Sequence, residues 1–178
     1  KKVLDEYGIL YVSDEVQTGW GRTGDHFWGY QAHDLVPDLL TFAKGLGNGL
    51  AMAGVIGRGE LVDGLTANSI STFGGNPLVS AGALANLDYL LDHGLQANAR
   101  AQGGRILDVL APLAVKLDVV GEVRGRGLMI GVELVAADGR TPAPAAAGRV
   151  LELCRQRGLL VGKGGLFGNC LRIAPPLS

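Results

Sequence analysis

The sequence has few residues of the kinds that bind metals or form disulfide frameworks. It contains two cysteines and three histidines among 178 residues. Cys154 and Cys170 lack both the paired spacing and the neighbouring histidines of a zinc site. We therefore expect no metal site, and unpaired thiols favour a reducing, cytoplasmic setting. An organellar location stays open because the N-terminus of the protein is expected to lie upstream of Lys1.

The sequence also has no excess of charge and no long apolar run. The formal net charge is −1, without a basic stripe or a block of like charge, which removes any electrostatic case for binding nucleic acid or an anionic membrane. No stretch reaches transmembrane length, and we expect no signal peptide among these residues. The expected partners are small molecules and copies of the chain itself.

Short apolar runs and glycines are what the sequence does contain. Hydrophobic residues make up 47% of the chain, which is enough for a sizeable core. In the first half the runs predict strands that alternate with glycine-rich turns, as in an α/β fold with a largely parallel sheet buried on both faces. The predicted strands span residues 9–13, 39–43 and 52–57. A helix is predicted over 77–93, with Pro77 in its first turn.

The second half has a less regular pattern. Its predicted elements are helices 96–116 and 144–157, and strands 119–124, 128–135, 159–161 and 170–174. We place a domain boundary near residue 95, so that 1–95 and 96–178 belong to different domains, the second a small α+β domain. The chain opens on what is predicted to be the end of a helix and stops after a strand, so we expect a segment of a longer protein.

Two charged residues stand where predicted strands end. Asp14 follows the run 9–13, and Lys44 follows the run 39–43. Open α/β sheets bind their ligands at the carboxyl ends of their strands. A carboxylate and an amine at that edge suggest pyridoxal phosphate chemistry, in which a lysine forms a Schiff base and a carboxylate pairs with the pyridinium nitrogen. The GLGNG segment (45–49) lacks the spacing of a nucleotide-binding loop.

Each of these residues also has a simpler interpretation. Lys44 alone is consistent with a solvated loop lysine, and Asp14 with a helix N-cap. We expect Asp14 to be buried between Val12 and Val16, where a carboxylate needs a cationic partner. Gln17 could donate a hydrogen bond to a ring hydroxyl, and it is equally consistent with an ordinary loop amide.

Five motifs follow one another along the chain in a characteristic order. They are DEVQTGWGRTG (14–24), PDLLTFAKGLGNGLAMAGVIGR (37–58), STFGGNP (71–77), VRGRGLMIGVEL (123–134) and LRIAPPL (171–177). In order and spacing they resemble the class III pyridoxal-phosphate aminotransferases, such as the ornithine, 4-aminobutyrate and alanine-glyoxylate type 2 enzymes. The resemblance implies a fold-type-I transferase of α/β class. Residues 1–95 would then be the C-terminal part of its large mixed-sheet domain and 96–178 most of its small C-terminal domain, truncated at the end.

The resemblance also implies an activity and residue roles. The activity is transfer of an amino group from an amino acid or ω-amino acid to a 2-oxo acid, by a ping-pong mechanism through a Schiff base on Lys44, which also carries the proton. Asp14 resembles the partner of the ring nitrogen and Gln17 the neighbour of the 3-hydroxyl. Thr72 resembles the hydroxyl that reaches the cofactor phosphate of the neighbouring subunit, which implies a homodimer with shared sites, or a tetramer. Arg172 resembles the arginine that binds a substrate carboxylate by two parallel hydrogen bonds.

Other functions stay open on the same residues. Without the resemblance, Thr72 is a loop residue and Arg172 a surface arginine. A decarboxylase or an aminomutase that uses the same cofactor and fold would carry the same Asp, Gln, Lys and Thr set. A module that has lost catalysis is the third alternative, and intact Asp14, Lys44 and Arg172 speak against it. Neither the donor nor the acceptor follows from the motifs.

Overall fold

The computed structural model describes residues 1–178 and divides them into two compact units. The first unit comprises Lys1–Gly21 and His26–Gln96, and the second comprises Arg22–Asp25 and Ala97–Ser178. The assignment of 1–95 and 96–178 to a large and a small domain stays a prediction.

A three-stranded mixed sheet forms the centre of the first unit. Its strands are β1 (Val12–Asp14), β2 (Leu39–Phe42) and β3 (Gly54–Gly57), in the order β1-β2-β3. β1 and β2 are parallel, whereas β2 and β3 are antiparallel. The expectation of a largely parallel sheet is therefore wrong for β3. The connection over residues 43–53 holds one short 3-10 turn, and a parallel crossover needs about a dozen residues or more, usually helical.

The expected burial of these strands on both faces is also wrong. Leu40, in the central strand, is buried, but Val12, Val55 and Ile56 are each about half exposed. Only β2 has a neighbouring strand on each side, and β1 and β3 are the edges of this sheet. The apolar side chains of the edge strands therefore have fewer neighbours in this chain.

One long helix of the first unit supports the turn that follows β2. The unit's helices are α1 (Lys2–Glu6), α2 (Gly59–Val62) and α3 (Pro77–Asp92). Asn76 caps α3, since its Oδ1 accepts a hydrogen bond from the Val79 N–H at 3.1 Å. Further along α3, Asn86 donates its Nδ2 to the carbonyls of Gly45, at 2.8 Å, and Leu46, at 3.0 Å.

The second unit is an antiparallel sheet with helices. The bounds are α4 (Leu95–Leu110), α5 (Leu113–Lys116), β4 (Val120–Arg126), β5 (Met129–Leu134), α6 (Pro144–Gln156), β6 (Gly162–Gly164) and β7 (Cys170–Ile173). The first two residues of α4, Leu95 and Gln96, belong to the first unit. The strand order is β4-β5-β7-β6, and every neighbouring pair is antiparallel. Its core consists of apolar side chains of the sheet packed on α6, namely Val120, Val132, Leu134, Ala147 and Leu171.

Two predicted elements of this unit differ from the structure. The single helix over 96–116 is two helices, because Pro112 has no N–H for the helical ladder and its ring clashes with the preceding turn. The strand predicted at 159–161 lies at Gly162–Gly164 instead. The Leu159 N–H is used to close the end of α6, on the Cys154 carbonyl at 2.9 Å, and pairing with β7 begins only at Gly162.

Arg22 holds the end of the chain against the β4–β5 turn. Its Nη1 donates hydrogen bonds to the carbonyls of Leu128 and Pro175, each at 3.0 Å. The segment after β7, which follows Arg172, is thereby fixed within the second unit. None of the helices combines the length and the apolar character needed to cross a lipid bilayer.

Candidate active site

Asp14 and Lys44 lie at the same edge of the mixed sheet. Asp14 is the last residue of β1 and pairs in register with Thr41 of β2. Lys44 lies three residues beyond Thr41, just after β2 ends at Phe42. Because β1 and β2 are parallel, both side chains belong to the carboxyl edge of the sheet, and both residues are exposed there. The structure thus brings these two predicted residues to one rim.

The backbone at Lys44 is held in the left-handed region. Its φ is +44°, a conformation that costs a residue with a side chain roughly 1–2 kcal/mol. A hydrogen bond of the turn stabilises this conformation, since the Gly47 N–H donates to the Lys44 carbonyl at 3.1 Å. Asn86 also fixes the two carbonyls that follow Lys44. Strain of this kind concentrates at functional sites.

An aromatic cluster lies beneath this turn. Trp20 is 9% exposed and packs edge to face against Phe27, Trp28 and Phe42. A Cβ added at Gly45 would lie 3.3 Å from the Trp20 Cδ1, so the close approach favours glycine beside the lysine. Trp20 itself has a φ of +63°, and its buried indole Nε1 has no hydrogen-bond partner. The contacts of Trp20 with Phe42 and Gly45 pack the loop after β1 against the loop after β2, next to Lys44.

The expected burial of Asp14 is wrong, and the buried carboxylate is the next residue. Asp14 is exposed, and its Oδ1 accepts a hydrogen bond from the Val16 N–H at 3.1 Å. Glu15 is 1% exposed. Successive side chains of a strand point to opposite faces, so Ser13 and Glu15 share the inner face and Asp14 takes the outer one. This alternation in Ser-Asp-Glu is the signal that could have found Glu15.

Glu15 accepts four hydrogen bonds from three segments of the chain. Its Oε1 accepts from the Ser13 hydroxyl at 3.0 Å and from the Tyr30 N–H at 2.7 Å. Its Oε2 accepts from the Thr18 hydroxyl at 2.6 Å and from the Gly29 N–H at 2.7 Å. Each oxygen thus receives one hydroxyl and one backbone amide, which satisfies the carboxylate in a buried place.

A second buried carboxylate lies at the amino ends of the strands, opposite the carboxyl ends where Asp14 and Lys44 lie. Asp38 precedes β2 and is 6% exposed. It accepts from the Tyr11 N–H at 2.8 Å and pairs with the Lys1 ammonium at 2.8 Å and the Arg58 guanidinium at 3.2 Å. The hydrogen bonds from Lys1 and from the Tyr11 N–H hold the pKa of Asp38 below its usual range. This pairing stabilises the amino end of the strands, away from Lys44.

The other predicted residues occupy different places. Gln17 is exposed in the turn after β1, three residues beyond Asp14. Thr72 is exposed in the turn 72–75 that leads to the cap of α3. Its expected partner is the cofactor phosphate bound by a neighbouring subunit.

Arg172 lies in the second unit, on β7, where it pairs with Gly131 of β5 and Gly162 of β6. The side chain passes over Gly164, where an added Cβ would come within 2.8 Å of the Arg172 Cδ. With α4 and residues 159–162 it lines a largely apolar cavity of about 780 Å³. An arginine at such a wall offers two parallel donors to a carboxylate.

Comparisons with known proteins identify the family. The sequence model described as aminotransferase class-III matches residues 1–178. The chain is 45% identical over 172 residues to an Arabidopsis thaliana mitochondrial alanine–glyoxylate aminotransferase 2 homolog, covering 96% of this chain and 36% of that protein. It is 42% identical over 177 residues to an alanine/serine racemase of Pyrococcus horikoshii, covering 99% of this chain and 37% of the relative. The chain therefore spans little more than a third of these relatives.

Solved structures agree in fold. A phospholyase from Arthrobacter, in complex with phosphoethanolamine, superposes with a TM-score of 0.91 at 41% identity, covering 99% of this chain and 42% of that one. An amine transaminase from an uncultivated Pseudomonas species, in its PLP-bound form, gives 0.86 at 36% identity, covering 99% and 42%. The α/β architecture is that of fold-type-I transferases, with a mixed sheet in one unit and an antiparallel sheet in the other. The chain belongs to the class III aminotransferases.

Proposed function

We propose that the protein containing this chain is a pyridoxal-phosphate-dependent aminotransferase. It moves an amino group from an amino acid or ω-amino acid to a 2-oxo acid. The observation that carries the proposal is the placement of Asp14 and Lys44 after adjacent parallel strands, at one edge of the sheet, in a chain of this family.

The donor set at this edge fits pyridoxal phosphate. It offers an exposed amine on Lys44, an exposed carboxylate on Asp14 and an amide on Gln17. Lys44 would bind the cofactor through its Nζ, Asp14 would pair with the protonated ring nitrogen, and Gln17 would donate to the ring hydroxyl. When bound, the cofactor supplies an electron sink that allows a bond to break at the substrate carbon that carries the amine.

The residues of this chain would then transfer protons and stabilise charge on the bound cofactor. The Nζ of Lys44 would take a proton from the substrate carbon that carries the amine and deliver it to the cofactor, and it would carry a proton the opposite way when the 2-oxo acid receives the amine. The carboxylate of Asp14 would keep positive charge at the ring nitrogen. The fixed turn at Lys44 would restrict where its amine can reach, which matters because proton transfer needs hydrogen-bond distances.

The proposed assembly is a homodimer with shared sites, or a tetramer. The Thr72 hydroxyl would contact the cofactor phosphate bound by the neighbouring subunit. Its exposed position in the turn 72–75 is compatible with a contact outside its own chain.

The proposed location is the cytoplasm, since Cys154 and Cys170 are both free thiols. The plant and human relatives are named as mitochondrial proteins, so an organellar address is the alternative.

Arg172 is proposed to bind a substrate carboxylate, and Arg172→Lys tests it. Lysine keeps the charge but cannot form two parallel hydrogen bonds. We expect the KM for a carboxylate-bearing substrate to rise about 10- to 100-fold with a smaller change in kcat, because a charge-assisted hydrogen bond contributes roughly 1.5–3 kcal/mol. Steady-state kinetics of the full-length protein measures both constants. Arg149→Lys, at an exposed arginine of α6 that is not among the residues lining this cavity, is the matched control and should leave KM unchanged.

The reaction itself is tested by supplying donors and acceptors separately. Full-length protein is incubated with alanine or 4-aminobutyrate, with and without glyoxylate, pyruvate or 2-oxoglutarate. Phosphoethanolamine and an amino semialdehyde, each without an acceptor, are separate samples. We expect one carbonyl product per bound cofactor without an acceptor, and continuous turnover with ping-pong kinetics when an acceptor is present. Turnover without an acceptor would contradict transamination in four recognisable ways. Formation of carbon dioxide would indicate a decarboxylase, and internal transfer of the amine would indicate an aminomutase. Inversion of alanine would indicate a racemase, and release of phosphate from phosphoethanolamine would indicate a phospholyase.

A further inference from the structure

We propose that Glu15 is the positioning residue of the loop that presents Asp14 and Gln17 to the cofactor. The inference rests on the proposed function, which assigns those two residues to pyridoxal phosphate. A carboxylate that is 1% exposed requires partners, because charged side chains are almost never fully buried unless they are paired or hydrogen-bonded. The partners of Glu15 are all in or beside this loop.

Backbone hydrogen bonds place Glu15 between the two functional strands. Its N–H donates to the Thr41 carbonyl of β2 at 2.9 Å, and its carbonyl accepts from the Gly19 N–H at 3.0 Å. The first bond continues the β1–β2 pairing toward Lys44. The second closes the turn that contains Gln17. Asp14 and Gln17 therefore flank a residue whose backbone is fixed on both sides.

The side chain extends this attachment to a segment further along the chain. The amides of Gly29 and Tyr30 both point to the Glu15 carboxylate, and the Thr18 hydroxyl joins them. The approach is tight, because a Cβ added at Gly29 would lie 2.6 Å from the Thr18 Cβ and 3.2 Å from the Glu15 Oε2. Glu15 thus connects β1, the loop and the segment at 29–30 through one group.

Glu15→Gln changes this group with little change in shape. An amide has one acceptor oxygen, whereas both oxygens of Glu15 accept a backbone N–H. Whichever way the glutamine is turned, its NH2 group faces a backbone N–H and repels it. We expect the loop to lose its single arrangement, and Asp14 and Gln17 to lose their orientation toward the cofactor ring.

The test compares Glu15→Gln with Asp38→Asn in the full-length protein. Asp38 is also a buried carboxylate that accepts a backbone N–H, but it lies at the opposite edge of the sheet. Three properties are measured: the Kd for pyridoxal phosphate, the pH midpoint of the cofactor's absorbance, and amide hydrogen exchange of the apoprotein. Thr18→Val, which removes only one donor, is the milder variant if Glu15→Gln does not fold.

In Glu15→Gln we expect Kd to rise about tenfold or more, which corresponds to about 1.4 kcal/mol. The absorbance midpoint should shift by about half a pH unit or more because the ring nitrogen loses its fixed partner. The amides of Gly29 and Tyr30 should exchange about tenfold faster as the local structure opens. Thr18→Val should change all three in the same direction by less. Asp38→Asn should lower the denaturation midpoint and leave all three near wild type.

The inference is overturned if Glu15→Gln, or Thr18→Val in its place, keeps the wild-type Kd and absorbance midpoint, or if Asp38→Asn changes them equally. A wild-type protein that does not bind pyridoxal phosphate contradicts the proposed function instead. In that case unchanged exchange at Gly29 and Tyr30 still overturns the positioning role, and faster exchange supports its structural part.

Discussion

Replacing Lys44 with alanine is expected to lower the rate of amine transfer by at least about four orders of magnitude, because the substitution removes the proposed covalent attachment and the proposed proton carrier. Alanine has no group that can take either role. The left-handed backbone at this position adds a further cost to any residue with a side chain, so alanine gains no local stability there. The rate is measured in a single half-reaction, by rapid mixing of the cofactor-loaded full-length protein with donor.

The matched control for this substitution is Lys163→Ala. Lys163 is an exposed lysine on β6, in the second unit, and has no part in the proposed chemistry. We expect its loss to leave the rate within about twofold of wild type, as for most exposed surface positions. A Lys44→Ala protein that retains a tenth of the wild-type rate would contradict the role of Lys44.

Asp14→Asn is expected to lower kcat about 10²- to 10³-fold, the range found when one electrostatic contact to developing charge is removed. The amide has the same shape, and its oxygen can still accept the Val16 N–H that Asp14 accepts now. The loop should therefore keep its structure while the ring nitrogen loses a negative partner. Steady-state kinetics and the absorbance spectrum of the bound cofactor measure the effect.

Asp34→Asn is the control for charge removal in the same unit. Asp34 is exposed and has a φ of +52°, a conformation that asparagine tolerates well. The variant should fold normally and retain kcat. If Asp14→Asn is as active as Asp34→Asn, the carboxylate at the end of β1 has no electrostatic role in the reaction.

The position of the site was predictable from local sequence, because it depends on where strands end. The apolar runs before Asp14 and Lys44 locate two strands, and β1 and β2 are indeed parallel neighbours. The exposure of Asp14 was not predictable from its apolar neighbours alone. A strand's alternation decides which of two adjacent carboxylates points inward, and here the inward one is Glu15.

The errors in the fold come from pairing rather than from composition. The antiparallel direction of β3 depends on the length of the connection after β2, and the position of β6 depends on which residues reach β7. The pairing of β3 and of β6 cannot be identified from a local apolar run. At β6, for example, Leu159, Leu160 and Val161 have a higher strand propensity than the Gly-Lys-Gly segment that forms the strand. The division of the predicted helix at Pro112 is a different kind of error, because the effect of proline on a helix is local and does not depend on pairing.

This chain is similar to a racemase and to a phospholyase as well as to aminotransferases, so the similarity alone does not identify the reaction. Both relatives match it at more than 40% identity, as does an aminotransferase. The Asp14 and Lys44 arrangement supports pyridoxal phosphate as the cofactor of this chain's family and does not select the reaction. The choice among them depends on what the substrate carries and on how its carboxylate is bound, for which Arg172 is the proposed residue in this chain.

The most direct test of the proposed chemistry is to identify the lysine that binds the cofactor. Full-length protein is loaded with pyridoxal phosphate, reduced with borohydride to fix the carbon–nitrogen bond, digested and analysed by mass spectrometry. We expect a single modified peptide that contains Lys44. Modification of Lys163 or of any other lysine, with Lys44 unmodified, would contradict the proposed role of Lys44.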